Sequence, residues 1–235
     1  MNSYSLKKGF SWLNVIVASA IGCTLLVLFI AYLEGNRRYY NGDRTKALAN
    51  AKSIVGGLLA FKSNKGSYPC QATRELLEAE GIDSLPSGTS ANAYFAQLVA
   101  TDNIDNEWVF FAPGFIGGRE GDNIMGSSDK LLEAGENCFA YIMAPNEKPL
   151  TDTRGNTPLV LAPVKEKGTS EPIFDGGPYG DKFVMSLVDG SARSGKIDEN
   201  GHALSPDGGS LFQTGPTSIF GKDTPVVKYP LFPTR

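Results

Sequence analysis

The stretch Phe10–Leu33, FSWLNVIVASAIGCTLLVLFIAYL, decides how the rest of the chain is read: 19 of its 24 residues are apolar and none is charged. About 20 apolar residues suffice to cross a bilayer as a helix rising 1.5 Å per residue, so this segment can span. Lys7 and Lys8 precede it, and Glu34, Arg37 and Arg38 follow. The flanking positive charges nearly balance, and orientation needs another argument. The mean hydropathy of the whole chain, -0.15, hides this segregation by averaging over two solvents.

Outward from the span, the 235-residue chain changes character. Beyond residue 33 it holds 20 basic against 25 acidic residues, a mildly acidic body without the basic stripe that nucleic-acid binding requires. All 14 prolines lie at Pro69 or later, leaving a helix-permissive first third and a turn-rich remainder. Ala47, Ala51, Ile54, Val55, Leu58 and Phe61 recur at spacings of three and four, which predicts one apolar stripe of an amphipathic helix. Gly56 and Gly57 weaken that helix by about 1 kcal/mol each relative to Ala and point to close packing against a sheet. A helix unbroken from Phe10 to Ser63 would reach about 80 Å.

Further on, residues 90–98 read as a short helix. Trp108–Phe111, Ala140–Met143, Pro158–Ala162 and Phe183–Val188 read as strands. Asp189-Gly190 signals a hairpin turn, with Ser191–Ile197 as the returning strand. Residues 200–235, rich in Gly, Pro and Ser, read as an ordered loop or partly mobile extension in which Val226–Tyr229 forms one edge strand.

Three readings of the N-terminus compete. A cleaved secretory signal has a shorter apolar core and a small-residue cleavage site, whereas this run ends in Ala31-Tyr32-Leu33-Glu34. A lipoprotein signal is suggested by Ala20-Ile21-Gly22-Cys23, although the apolar run continues past Cys23. The third reading is a retained anchor. Here Lys7-Lys8-Gly9-Phe10-Ser11-Trp12-Leu13-Asn14-Val15-Ile16-Val17 resembles the type IV prepilin signature, a basic leader ending in Gly followed by Phe and an apolar helix. Lys65-Gly66-Ser67-Tyr68-Pro69 and the later Val188-Asp189-Gly190-Ser191-Ala192-Arg193 are similar to segments of type II secretion pseudopilin-like proteins.

The resemblance implies cleavage between Gly9 and Phe10 by prepilin peptidase and N-methylation of Phe10, with Lys7 and Lys8 holding the leader in the cytoplasm. It implies a pilin-like α+β fold: leader 1–9, transmembrane helix 10–33, amphipathic continuation 34–65, a periplasmic head with a small antiparallel sheet over 66–199, and the extension 200–235. Its partners would be other pilin-like subunits, an inner-membrane platform with its ATPase, and inner-membrane lipid. The family carries Glu where this chain has Asn14, which can hydrogen-bond but cannot neutralise the amine of a neighbouring subunit. Some minor subunits, notably those at a filament tip, lack that Glu. The competing class is a monomeric anchored periplasmic protein that binds a ligand or ion with its acidic head.

Chemistry is sparse. Cys23 lies in the span, so Cys70 and Cys138 are the pair available for one disulfide. It would close a loop of about 69 residues, worth about 4 kcal/mol in an oxidising compartment; the other reading is two separately buried thiols. His202 is the sole histidine, in a loop read as solvated, and no zinc cluster or phosphate loop can be assembled. Asp198, Asn200 and Asp207, or Asp122, Asn123 and Asp129, offer partial oxygen sets for calcium of the sort some pseudopilins carry. Neither follows EF-hand spacing, and solvated turn acids are the simpler reading.

Overall fold

The computed structural model describes residues 12–83, 85–115, 117–150, 154–166, 171–216 and 218–233. Helix α1 covers Trp12–Lys65, and the chain divides into two compact units, residues 1–39 and 40–235.

In the first unit, Val15–Gly35 is a 21-residue helical segment long and apolar enough to cross a membrane, and none of it is buried by the protein. Ile16, Leu25, Leu28 and Phe29 all stand exposed. The hydroxyl of Thr24 donates to the carbonyl of Ala20 at 2.9 Å, so its polar group is satisfied within the helix.

In the second unit, the six predicted stripe residues Ala47, Ala51, Ile54, Val55, Leu58 and Phe61 are all fully buried in the main core. The glycine pair behaves differently from the expectation. A Cβ on Gly57 would fall 2.6 Å from Ile104 Cγ1, so Gly57 admits the loop after α3 rather than a sheet, while Gly56 faces open space. Helix α2 is Gln71–Ala79 and helix α3 is Ala91–Ala100, the latter capped by Ser90, whose side chain accepts from Ala93 N–H. Residues 91–99 of α3 are all buried, including the polar Asn92 and Gln97. Asn92 Nδ2 donates to Leu132 O at 2.7 Å, and its Oδ1 accepts from Leu231 N–H at 2.8 Å, tying two distant loops to one helix.

Seven strands follow: β1 Ala140–Met143, β2 Pro158–Ala162, β3 Val164–Glu166, β4 Ile173–Phe174, β5 Lys182–Leu187, β6 Ala192–Lys196 and β7 Val226–Lys228. Five form an antiparallel sheet in the order β6-β5-β2-β1-β7, and β3 pairs with β4 separately. Alternation along β1 sends Tyr141 and Met143 into the core with α1 and α3, and Ala140 and Ile142 into a second core with Leu161, Met185 and Leu211. The chain leaving β6 must reach β7 on the opposite edge. Its residues Ala203 and Leu211 are buried in the second core, with Ile219 and Phe220 packed against it, so the crossing segment closes the face away from α1.

Of the two readings of 200–235 the ordered one holds, and the expected edge strand is β7. Tyr229 O accepts from Ala91 N–H at 2.9 Å and Leu231 O from Gly135 N–H at 2.8 Å, so the tail is part of the head. Trp108–Phe111 is not a strand: Glu107–Phe110 forms a turn of 3-10 helix. A short apolar run carries no period to separate strand from turn, and its carbonyls find other acceptor roles. Asn50 Nδ2 on α1 donates to Phe111 O at 2.7 Å, and Cys138 N–H donates to Phe110 O at 2.9 Å. The Asp189-Gly190 hairpin forms as expected, with Gly190 at φ 83° and Leu187 N–H donating to Ser191 O.

Candidate functional site

Glu107 opens the 3-10 turn and is fully buried. Its Oε1 accepts from Leu132 N–H at 2.8 Å and its Oε2 from Asn123 N–H at 2.9 Å, while Glu107 N–H donates back to Asn123 Oδ1 at 2.8 Å. Leu132 has φ 51°, a left-handed conformation that costs a branched residue about 1–2 kcal/mol, and the carboxylate holds its N–H there. The chain passes close: a Cβ on Gly121 would lie 2.4 Å from Glu107 Cβ, so only glycine fits.

A second fully buried carboxylate stands beside it. Glu136 Oε2 accepts from Glu133 N–H at 2.8 Å, and its Oε1 meets Arg119 Nη1 at 3.0 Å and Asp122 N–H at 3.3 Å. Arg119 also pairs with Glu133. Burial pushes both acids above their ordinary value, Glu107 against its hydrogen bonds from Leu132 and Asn123, and Glu136 against its bond from Glu133. The charge of Glu107 raises Glu136 further.

Carboxylate oxygens of Glu107, Asp122 and Glu136 all lie within 4.8 Å of one another, with Asp122 exposed at the rim. Oxygen-only donors at this spacing suit a hard cation such as calcium, whose ligands stand about 2.3–2.6 Å from the ion. Sequence reasoning found Asp122 and missed both buried partners. Polar residues leading directly into apolar runs, Glu107 before Trp108-Val109-Phe110 and Glu136-Asn137 before Cys138-Phe139-Ala140, were the available signal. The other acids of the predicted oxygen sets serve their own turns. Asp198 Oδ1 accepts from Asn200 and His202 N–H, Asp129 accepts from the hydroxyl of Ser127, and Asp207 from that of Ser205.

Cys70 and Cys138 are free and buried, the second of the two readings that the sequence left open. Each has its own surroundings: Cys70 begins α2, where its carbonyl accepts from Gln97 Nε2 at 3.1 Å, and Cys138 Sγ packs so close to Gly118 that a Cβ there would lie 2.7 Å away. His202 is not simply solvated; its Nδ1 lies 3.4 Å from Glu171 Oε1. Gly9, Phe10, Lys7 and Lys8 lie outside the described residues, and Asn14 falls within α1. Cys23 is exposed on the same helix, which continues through it.

No protein family, curated protein or solved structure matches the chain.

Proposed function

We propose that this chain is a membrane-anchored, pilin-like subunit, cut by prepilin peptidase between Gly9 and Phe10 and assembled with related subunits into a type II secretion pseudopilus or a type IV pilus-like filament. The observation that carries the reading is the wholly unburied apolar helix Val15–Gly35, preceded in sequence by Lys7-Lys8-Gly9-Phe10 and followed by an α+β head whose sheet packs on the later turns of α1. Lys7 and Lys8 stay cytoplasmic, the head lies in the periplasm, and the cut leaves the span intact. The protein is a structural component with no reaction of its own. Its apolar helix exchanges lipid contacts for helix contacts during assembly, driven by the platform and ATPase of the same machinery.

Mass spectrometry of the protein recovered from its native membrane tests the reading. The expected N-terminus is methylated Phe10. An intact Met1 would instead indicate an uncut anchor and a monomeric binding protein, and a lipid-modified Cys23 at the N-terminus would establish a lipoprotein.

A further inference from the structure

Two adjoining cavities lie where the chain from β6 to β7 crosses the sheet. The first, of about 240 Å³, is walled by Arg154, Arg193, Asn156, Gln213 and Leu211 among others. The second, of about 190 Å³, is walled by Leu150, Phe220 and Pro225, and Arg154 and Ile219 belong to both. Register explains the aim of Arg193: it stands opposite Met185, whose side chain enters the second core together with Leu211.

The Nε of Arg193 is buried and has no hydrogen-bond partner among the described residues. Proteins rarely leave a buried donor of this kind unmatched, because its lost hydration is not replaced. Among the described residues Arg154 spends Nη2 alone, on Ser218 O at 2.9 Å and Ile219 O at 3.4 Å. Among the described residues the acid lining the first cavity is Asp207, which already accepts from the hydroxyl of Ser205. In the first cavity two guanidiniums face one carboxylate, and Asp223 in the second brings the joined cavities to balance among the described residues, which suits a monoanion better than a doubly charged phosphate. A carboxylate presents two oxygens that fit the guanidinium fork. Beyond Arg154 the wall is mixed, with Leu150, Ile219, Phe220 and Pro225 beside Thr157 and Asp223, and Asp223 opposes a second acid group on the ligand.

We propose that the joined cavities bind a small amphipathic carboxylate, its acid group between Arg193 and Arg154 and its apolar body against Ile219, Phe220 and Leu150. The site does not depend on the filament reading. Both a free organic acid and the C-terminus of a peptide carry this chemistry, and two probes separate them: hexanoate and N-acetyl-L-phenylalanine.

Calorimetric titration of the full chain in non-ionic detergent is the test. At least one of the two acids binds, the tighter one naming the source, and its amide binds at least about tenfold more weakly because it loses a charge-assisted contact. Arg193→Gln and Arg154→Gln each weaken the acid by at least about tenfold with the melting profile retained. Should Arg193→Gln fail to fold, the Nε–Hε NMR resonance of Arg193 in the unaltered chain reads the same contact, moving with the acid and not with the amide. Absence of binding by both acids, equal binding of acid and amide, an unmoved resonance, or tighter binding of inorganic phosphate overturns the proposal.

Discussion

Truncating Glu107 to Ala removes both acceptors that hold the loop 117–136 to the 3-10 turn. The N–H groups of Leu132 and Asn123, bonded at 2.8 and 2.9 Å, lose their partner, and an unsatisfied buried donor costs about 1–3 kcal/mol. Releasing a buried charge that Glu136 repels offsets part of this, so the net loss is about 3 kcal/mol. Glu107→Gln keeps the volume and one acceptor but turns an amide N–H₂ toward the second donor, for a loss of about 1.5 kcal/mol. In a domain of this size each kcal/mol moves Tm by about 2–4 °C, which places Ala about 6–12 °C and Gln about 3–6 °C below the parent. The assay is thermal unfolding of the full chain in detergent, followed by tryptophan fluorescence. There are two tryptophans, and Trp108 is the useful one because its Nε1 donates to Gly121 O at 2.8 Å inside the loop concerned. Trp12→Phe isolates it. A shift below about 2 °C for Ala, or equal damage by Gln and Ala, would refute the idea that the carboxylate clamps this loop.

Gly56→Ala, where a Cβ meets nothing within 4 Å, raises stability by about 0.5–1 kcal/mol. Gly57→Ala, where it strikes Ile104 Cγ1 and approaches Asn103 O at 3.3 Å, lowers it by about 1 kcal/mol net, since overpacking outweighs the gain in helix propensity; urea unfolding of the pair reads the contrast. Because Glu136 has a folded pKa above its ordinary 4.5, its contribution is fully present below that value and is lost as pH rises through the folded pKa. Urea titrations should therefore show the parent gaining on Glu136→Gln as pH falls from 7 toward 4.5, and parallel profiles would count against the buried acid. Burial pushes the Cys138 thiol up to about 12, so iodoacetamide at pH 7.5 labels it only in denaturant; rapid native labelling would contradict the packing. If the chain occupies a filament tip, Asn14→Glu places a charge with no amine above it and blocks assembly, measured by co-purification with the other subunits; unimpaired assembly removes the basis for a tip position.

The elements legible in the sequence are those whose signal is local. A charge-free run of 24 residues, a stripe at spacings of three and four, and an Asp-Gly turn between apolar segments each carry their own period or punctuation, and the structure places helix, helix and hairpin there. Trp108-Val109-Phe110-Phe111 misled because a four-residue apolar run fits a turn as well as a strand, and here Phe110 alone of the four is buried while Trp108 stands exposed. The paired carboxylates were out of reach for another reason. Glu107 and Glu136 meet through two loops whose geometry is set by Gly121, Gly135 at φ 89° and Leu132 in a left-handed conformation, none of which leaves a spacing rule. The tail looked independent because Gly, Pro and Ser mask its few anchors, Ala203, Leu211 and Leu231 N–H on Asn92.

Closing the second face of the sheet has a consequence for how this head can meet other chains. With α1 and α3 on one face and Ala203, Leu211, Ile219 and Phe220 on the other, both faces are covered by the chain itself. The edges offer little more. β7 is three residues long, flanked by Pro225 and Pro230, and its Lys228 turns inward over the Tyr94 ring to pair with Glu147. β6 is five residues long and carries the exposed Lys196 at its end. Short, charged or proline-flanked edges resist strand addition. Among the described residues, the large continuous apolar surface left uncovered is Val15–Gly35. Association in lipid gains no hydrophobic driving force, because acyl chains are as apolar as leucine, and it rests on close packing and polar contacts. Gly22 stands open there, with nothing within 4 Å of an added Cβ, while the Thr24 hydroxyl is already spent on Ala20 O. Packing of any other helix against this one would therefore depend on shape at small residues more than on hydrogen bonds from Thr24.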